Sequence, residues 1–170
     1  MTTHRRPATE EEARALASGV RVRILRLCLD ESLTNKEIAG KLGANPATVL
    51  HHVRKLVDTG FLVAEASRKG PRGSTEIPYR STGKSWEMDI HESGVRGGAQ
   101  ALLDAFLEEI KLTDVEDALL WRLGPRLNDR DREELVARLT VLFDEIAARP
   151  PSPDGTPFSL FFAMHRDPGR

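Results

Sequence analysis

The sequence predicts a mainly α protein with one β-hairpin, extended toward its C-terminus by a small α+β region. Three observations predict it. Two short helices are signalled on either side of the tight turn Gly43-Ala44-Asn45. Two β-prone runs, near Phe61–Ala66 and Glu76–Ser81, flank a loop rich in Gly and Pro. Apolar residues then recur at helical spacing in two stretches of the second half. The reading divides the chain into residues 1–86, holding the short helices and the hairpin, and residues 87–170, holding a longer helix and the α+β region.

Composition narrows the class. Hydrophobic residues make up 39% of the 170, enough to build a core. No apolar run approaches the roughly 20 residues that span a bilayer, so no membrane partner is expected. The stretch "MTTHRRPATEEEARA" has arginines with no apolar run behind them, which is not a secretory signal, and a cytoplasmic location is expected. The single cysteine, Cys28, excludes an internal disulfide framework and a multi-cysteine zinc site. It sits among Ile24, Leu25, Leu27 and Leu29 and reads as a buried structural thiol. The net charge of -1 hides an asymmetry: residues 1–85 carry 15 Lys+Arg against 9 Asp+Glu, and the remainder 10 against 17. A basic half joined to an acidic half suits a protein that meets a polyanion with one part only, although two solvated surfaces of different composition would look the same.

Along the chain, Thr9 can cap a helix with acidic residues in its first turn. Gly19 interrupts, and Val20–Leu29 reads as a largely buried helix whose arginines reach outward. Thr34 and Glu37 form a capping box for a third helix, "TNKEIAGKLG", ended by Gly43. Asn45 then caps a fourth, with Pro46 at its first position. Two short helices about a tight turn are the pattern of a helix-turn-helix.

At about 100° per residue, Val49, Leu50, Val53, Leu56 and Val57 form one stripe of the fourth helix. Ala47, Thr48, His51, Lys55 and Asp58 lie opposite, with Arg54 at one margin and His52 at the other. The neighbouring His51 and His52 therefore diverge and lack the i, i+4 spacing of helical metal ligands. His51 is expected to face a nucleic acid. His52 is expected to pack at the boundary and hydrogen-bond within the domain. The hairpin that follows carries Arg68, Lys69 and Arg72 in its loop and reads as a wing positioned for phosphates or the minor groove.

Residues about 12–86 resemble an ArsR-type winged helix-turn-helix regulator. The resemblance rests on "ALASGVRVRILRLCL", "TNKEIAGKLGANPATVLHHVRKLVDTGFL" and "IPYRST". The family's recognition helix typically carries "HHL..L" or "RHL..L"; this chain has "HHVRKL", with Val53 in place of the leucine. The metal-sensing branch is not matched. Its cysteine pair is absent from "TNKEIAGKLG", and "DIHESGVRGG" supplies Asp89 and His91 without the following histidine, so both read as exposed linker residues. No metal and no other cofactor is expected.

In the second half, Val95, Ala99, Leu102, Leu103, Phe106 and Ile110 form an apolar stripe, with Leu107 beside it. The resemblance implies that this helix pairs with its counterpart in a homodimer; packing within the chain is the competing reading. "ALLWRLGPRL" could be a strand or a buried helical turn. Asn128 can cap an amphipathic helix through Arg149, and the alternation of Phe158, Leu160, Phe162 and Met164 argues for a closing strand. With Trp121 and Phe143 these four residues suit either a core or a pocket for a small apolar effector.

No phosphate-binding Gly loop, serine nucleophile motif or paired carboxylate constellation is present, so an enzyme is not expected. The sequence reading is a DNA-binding transcriptional regulator, expected to be a repressor, acting as a homodimer on a pseudo-palindromic stretch of double-stranded DNA. Ala47, Thr48, His51 and Lys55 are its base readers, and Arg54, Arg68, Lys69 and Arg72 its phosphate anchors. The alternative is a winged-helix module that docks a protein.

Overall fold

A computed structural model describes residues 5–89 and 95–169. They fall into two compact units, residues 5–113 and residues from Asp114 onward.

The first unit opens with a two-residue strand, β1 (Arg6–Pro7), and helices α1 (Glu10–Leu16) and α2 (Gly19–Leu27). Thr9 caps α1 through a full capping box: its hydroxyl accepts from Glu12 N–H while the Glu12 carboxylate accepts from Thr9 N–H. α2 ends two residues earlier than the apolar run suggests, with Cys28 as its cap and Leu29 exposed. Strand β2 (Leu33–Thr34) leads into α3 (Asn35–Leu42) and then α4 (Pro46–Asp58). The Thr34/Glu37 capping box forms as expected, and Asn45 accepts from Ala47 N–H to start α4. Between the two helices Gly43 is left-handed, at φ 63°, which lets Ala44 N–H turn back to the Ala39 carbonyl.

The hairpin is more finely divided than the sequence suggests. Strand β3 (Leu62–Ala64) pairs antiparallel with β6 (Pro78–Ser81), and β4 (Arg68–Lys69) with β5 (Thr75–Glu76). Ala64 faces Tyr79 but Arg68 faces Glu76, so the register slips by one residue between the two ladders. Strand β2 completes a sheet of order β2-β6-β3. A further strand, β7 (Met88–Asp89), pairs parallel with β1. Asp89 is thus half-buried in a strand pair rather than an exposed linker residue; His91 lies outside the described residues.

One core unites these elements: Leu16, Ile24, Leu25, Cys28, Ile38, Val49, Val53, Leu56, Phe61 and Leu62 are all buried in it. Helix α5 (Gly98–Ile110) packs on α2 through its small residues Ala101 and Ala105, with Val22 opposite. The approach is close. A Cβ on Gly19 would stand 3.2 Å from Asp104 Cβ and 3.4 Å from Ala105 N. Arg26 of α2 donates to both carboxylate oxygens of Glu109 at 2.8 Å.

The second unit contains one long helix, α6 (Asp129–Ala147), capped by Asn128 as expected. Among its described residues none is buried and none is in a strand. The closing strand expected from Phe158, Leu160, Phe162 and Met164 is therefore corrected, and residues 118–127 form no helix or strand. Alternation marks what a strand could bury, but a strand exists only when a neighbouring backbone forms a ladder with it, and among the described residues neither segment is paired in a ladder. The β structure of the described chain lies wholly in the first unit.

Candidate nucleic-acid interface

α4 presents two chemically distinct faces. Val49, Val53 and Leu56 are buried, with Leu50 and Val57 half-buried beside them. Ala47, Thr48, His51, Arg54 and Asp58 are exposed on the opposite side. The Asn45 cap and the Pro46 start orient the first turn outward, so Ala47 and Thr48 come at the exposed N-terminal end of the helix.

The two histidines part as their spacing requires: His51 is exposed and His52 half-buried, with ring centroids 5.8 Å apart and planes at 63°. His52 packs at the boundary as expected, but the expected hydrogen bond is corrected: its Nδ1 is buried with no partner among the described residues. Burial, then the positive charge of Arg21 and of His51, lowers its pKa, which favours the neutral ring. No group of three or more His, Cys, Asp or Glu side chains among the described residues could hold a metal.

The cations of this face divide into two kinds. Arg54 and Lys69 are exposed and make no ion pair among the described residues. Lys55 and Arg68 do. Lys55 Nζ leans away from the outward face to Glu11 of α1, at 2.8 Å, and is half-buried. Arg68 Nη2 donates to both oxygens of Glu37 on α3, at 2.7 and 2.8 Å. The side chain of Arg72 lies outside the described residues. The pairing of Glu11 with Lys55 and of Glu37 with Arg68 is not signalled by the sequence, because the partners are 44 and 31 residues apart.

Behind the face, Glu12 is buried and accepts from Arg6 at 2.7 and 2.9 Å, from Thr9 N–H, and from Lys84 at 2.8 Å. The Arg6 hydrogen bond, more than any other contact, holds its carboxyl far below the usual range against the opposing effect of burial. Lys84 also donates to the Thr59 carbonyl at the end of α4, so one buried carboxylate ties α1 to α4 through a shared cation.

The six residues expected to dimerise divide as well. Leu102 and Leu103 are 39% and 38% exposed, Ala99 is exposed, and Phe106, Ile110 and Val95 are half-buried. Of the six residues expected to form a pocket, five are exposed and one is half-buried. Trp121 and Phe158 are both 84% exposed; Leu160, Phe162 and Met164 are exposed; Phe143 is half-buried. A shallow depression of about 410 Å³ on α6 is lined instead by Ala137, Arg138, Val141, Leu142 and Glu145.

A family model described as winged helix-turn-helix DNA-binding matches residues 20–63, from the start of α2 through β3. Residues 20–63 are thus similar to a winged helix-turn-helix DNA-binding domain. No curated protein matches the chain. Solved structures similar to it include TA0346 from Thermoplasma acidophilum, at 18% identity over 59% of this chain and 98% of that one, with a TM-score of 0.40. ZitR from Lactococcus lactis, in mutant form, is 21% identical over 75% and 73% of the two chains, with a TM-score of 0.35. The transcriptional regulator SlyA is 13% identical over 76% and 75%, with a TM-score of 0.32. No helix among the described residues is long and apolar enough to cross a membrane.

Proposed function

We propose that the protein is a homodimeric transcriptional regulator of the ArsR-like kind. In this reading α4 lies in the major groove of double-stranded DNA and the hairpin holds the flanking phosphates. The observation that carries the reading is the outward face of α4. Ala47, Thr48, His51 and Arg54 stand exposed on a helix whose opposite side is locked into the core by Val49, Val53 and Leu56. Small, hydroxyl, imidazole and guanidinium groups on one such face are suited to a thymine methyl, base edges and phosphates.

Dimerisation rests on α5. Its small residues are used against α2, which leaves Leu102, Leu103 and Leu107 uncovered in a single chain. A second copy related by two-fold symmetry would cover them and set two recognition helices about 34 Å apart, which makes the DNA site pseudo-palindromic.

Titration of labelled genomic fragments at several salt concentrations tests DNA binding. With about six phosphates neutralised per dimer, log K against log salt has a slope of about -5. His51→Ala changes sequence preference by about 1–3 kcal/mol at one position of each half-site. Lys69→Gln weakens all sequences alike. Binding to no fragment at any salt sinks the proposal and favours docking of a protein on the same domain.

A further inference from the structure

Two of the cations on the DNA-facing side are already occupied, by carboxylates that come from other helices. Lys55 is held by Glu11 and Arg68 by Glu37. Neither is a local helical pair of the i, i+4 kind; each joins two elements of the fold. In both pairs the partners keep contact with solvent, unlike Glu12, which is buried between Arg6 and Lys84. A solvent-exposed pair is worth little to stability, so it can be exchanged for another anion at low cost. A phosphate offers an arginine or lysine the same charge-assisted geometry as a carboxylate, with more negative charge around it.

We infer that Glu11 and Glu37 act as internal counter-anions of the DNA-binding surface, each occupying a cation that a backbone phosphate must take over. The inference rests on the DNA-binding reading above and adds two residues to it. The two carboxylates are held differently. Glu37 is fixed from a second side, because its Oε2 also accepts from Thr34 N–H at 2.8 Å as part of the α3 capping box. When Arg68 swings to a phosphate, Glu37 stays where it is, close to the polyanion. Glu11 lies in the first turn of α1 and is exposed, so it is released into water when Lys55 leaves it. Both carboxylates therefore oppose binding, first by holding the cation and then by like charge. Lys69 and Arg54, which make no ion pair among the described residues, meet DNA without this cost.

The experiment uses the full chain and a fluorescein-labelled duplex of random sequence, about 30 base pairs long, at about 50 mM salt, where sequence-independent binding is measurable. Glu11→Gln and Glu37→Gln are the variants. Glutamine at the third position of α3 still serves the capping box, so the helix is retained, and thermal unfolding checks this. Each variant is expected to tighten binding about fivefold. The gain should shrink when the cation is removed as well, in Glu11→Gln/Lys55→Gln and Glu37→Gln/Arg68→Gln measured against Lys55→Gln and Arg68→Gln alone. Unchanged or weakened binding by both single variants overturns the inference while leaving DNA binding intact. A gain that is undiminished in the cation-free backgrounds also overturns it, because it would then be wholly an effect of net charge. A wild-type protein that binds no duplex at this salt overturns the DNA-binding reading itself. Glu11→Gln lies on an exposed first turn and keeps the test decisive if Glu37→Gln fails to fold.

Discussion

Residues 5–113 and residues 114–169 have similar kinds of side chain but use them in opposite ways. The first unit hides its large apolar groups: Phe61, Ile24, Ile38, Leu56 and Leu62 are all fully buried. The second shows them: Trp121, Leu123 and Phe158 are each more than four-fifths exposed, and no described residue is buried. The lesson is that apolar content alone does not make a core. In the first unit α2, α3 and α4 pack on one another and on a three-stranded sheet, so their apolar stripes meet. In the second, α6 and the segments without α-helix or strand on either side of it leave their large apolar residues largely open to solvent.

The comparison can be broken most strongly by exchanging sites. Phe61→Ala should destabilise the protein by about 3–5 kcal/mol, whereas Phe158→Ala should cost less than about 0.5 kcal/mol, both by urea unfolding. A large loss from Phe158→Ala would mean that this side chain is covered in solution by something a single chain lacks, and the contrast between the units would collapse.

A smaller effect sharpens the contrast within α5. Ala101→Leu overfills the contact with α2 and should cost about 2 kcal/mol, while Leu103→Asp should leave the fold intact and abolish the dimer. Sedimentation and thermal unfolding separate the two results. A wild-type monomer at micromolar concentration refutes the dimer.

The acid side of the stability curve tests Glu12. Its folded pKa lies well below the ordinary 4.5, so the stabilisation it provides is fully present above about pH 4.5. It is lost as pH falls from there through the folded value. Glu12→Gln should lower stability at pH 7 by about 2 kcal/mol and flatten the fall below pH 4.5. Equal acid sensitivity in wild type and variant would show that Arg6 and Lys84 do not act through this carboxylate.

The smallest effect concerns Cys28. Burial pushes its thiol up to about 11, so alkylation at pH 8 should be negligible in the native protein and complete in denaturant. Labelling at the rate of a free thiol without denaturant would mean that the core around α2 opens readily.

What the sequence by itself determined is local. The Thr34/Glu37 capping box, the Asn45 cap, the left-handed Gly43 and the two faces of α4 depend on residues within a turn or two of one another, and all are present as expected. Helix geometry alone separates His51 from His52. What only the tertiary structure decided is which groups meet across the chain. Strands β1, β2 and β7 are two residues long, too short to show a period, and exist because distant backbone is brought beside them. The same holds for the anions that meet Lys55 and Arg68. Lys55 and Arg68 could be named as cations from their positions, but Glu11 and Glu37 approach them only once α1, α3, α4 and the hairpin have packed. The alternating residues 158–164 make the converse point. Their pattern is written in the sequence, yet a strand needs a second backbone laddered beside it, and among the described residues no ladder forms there.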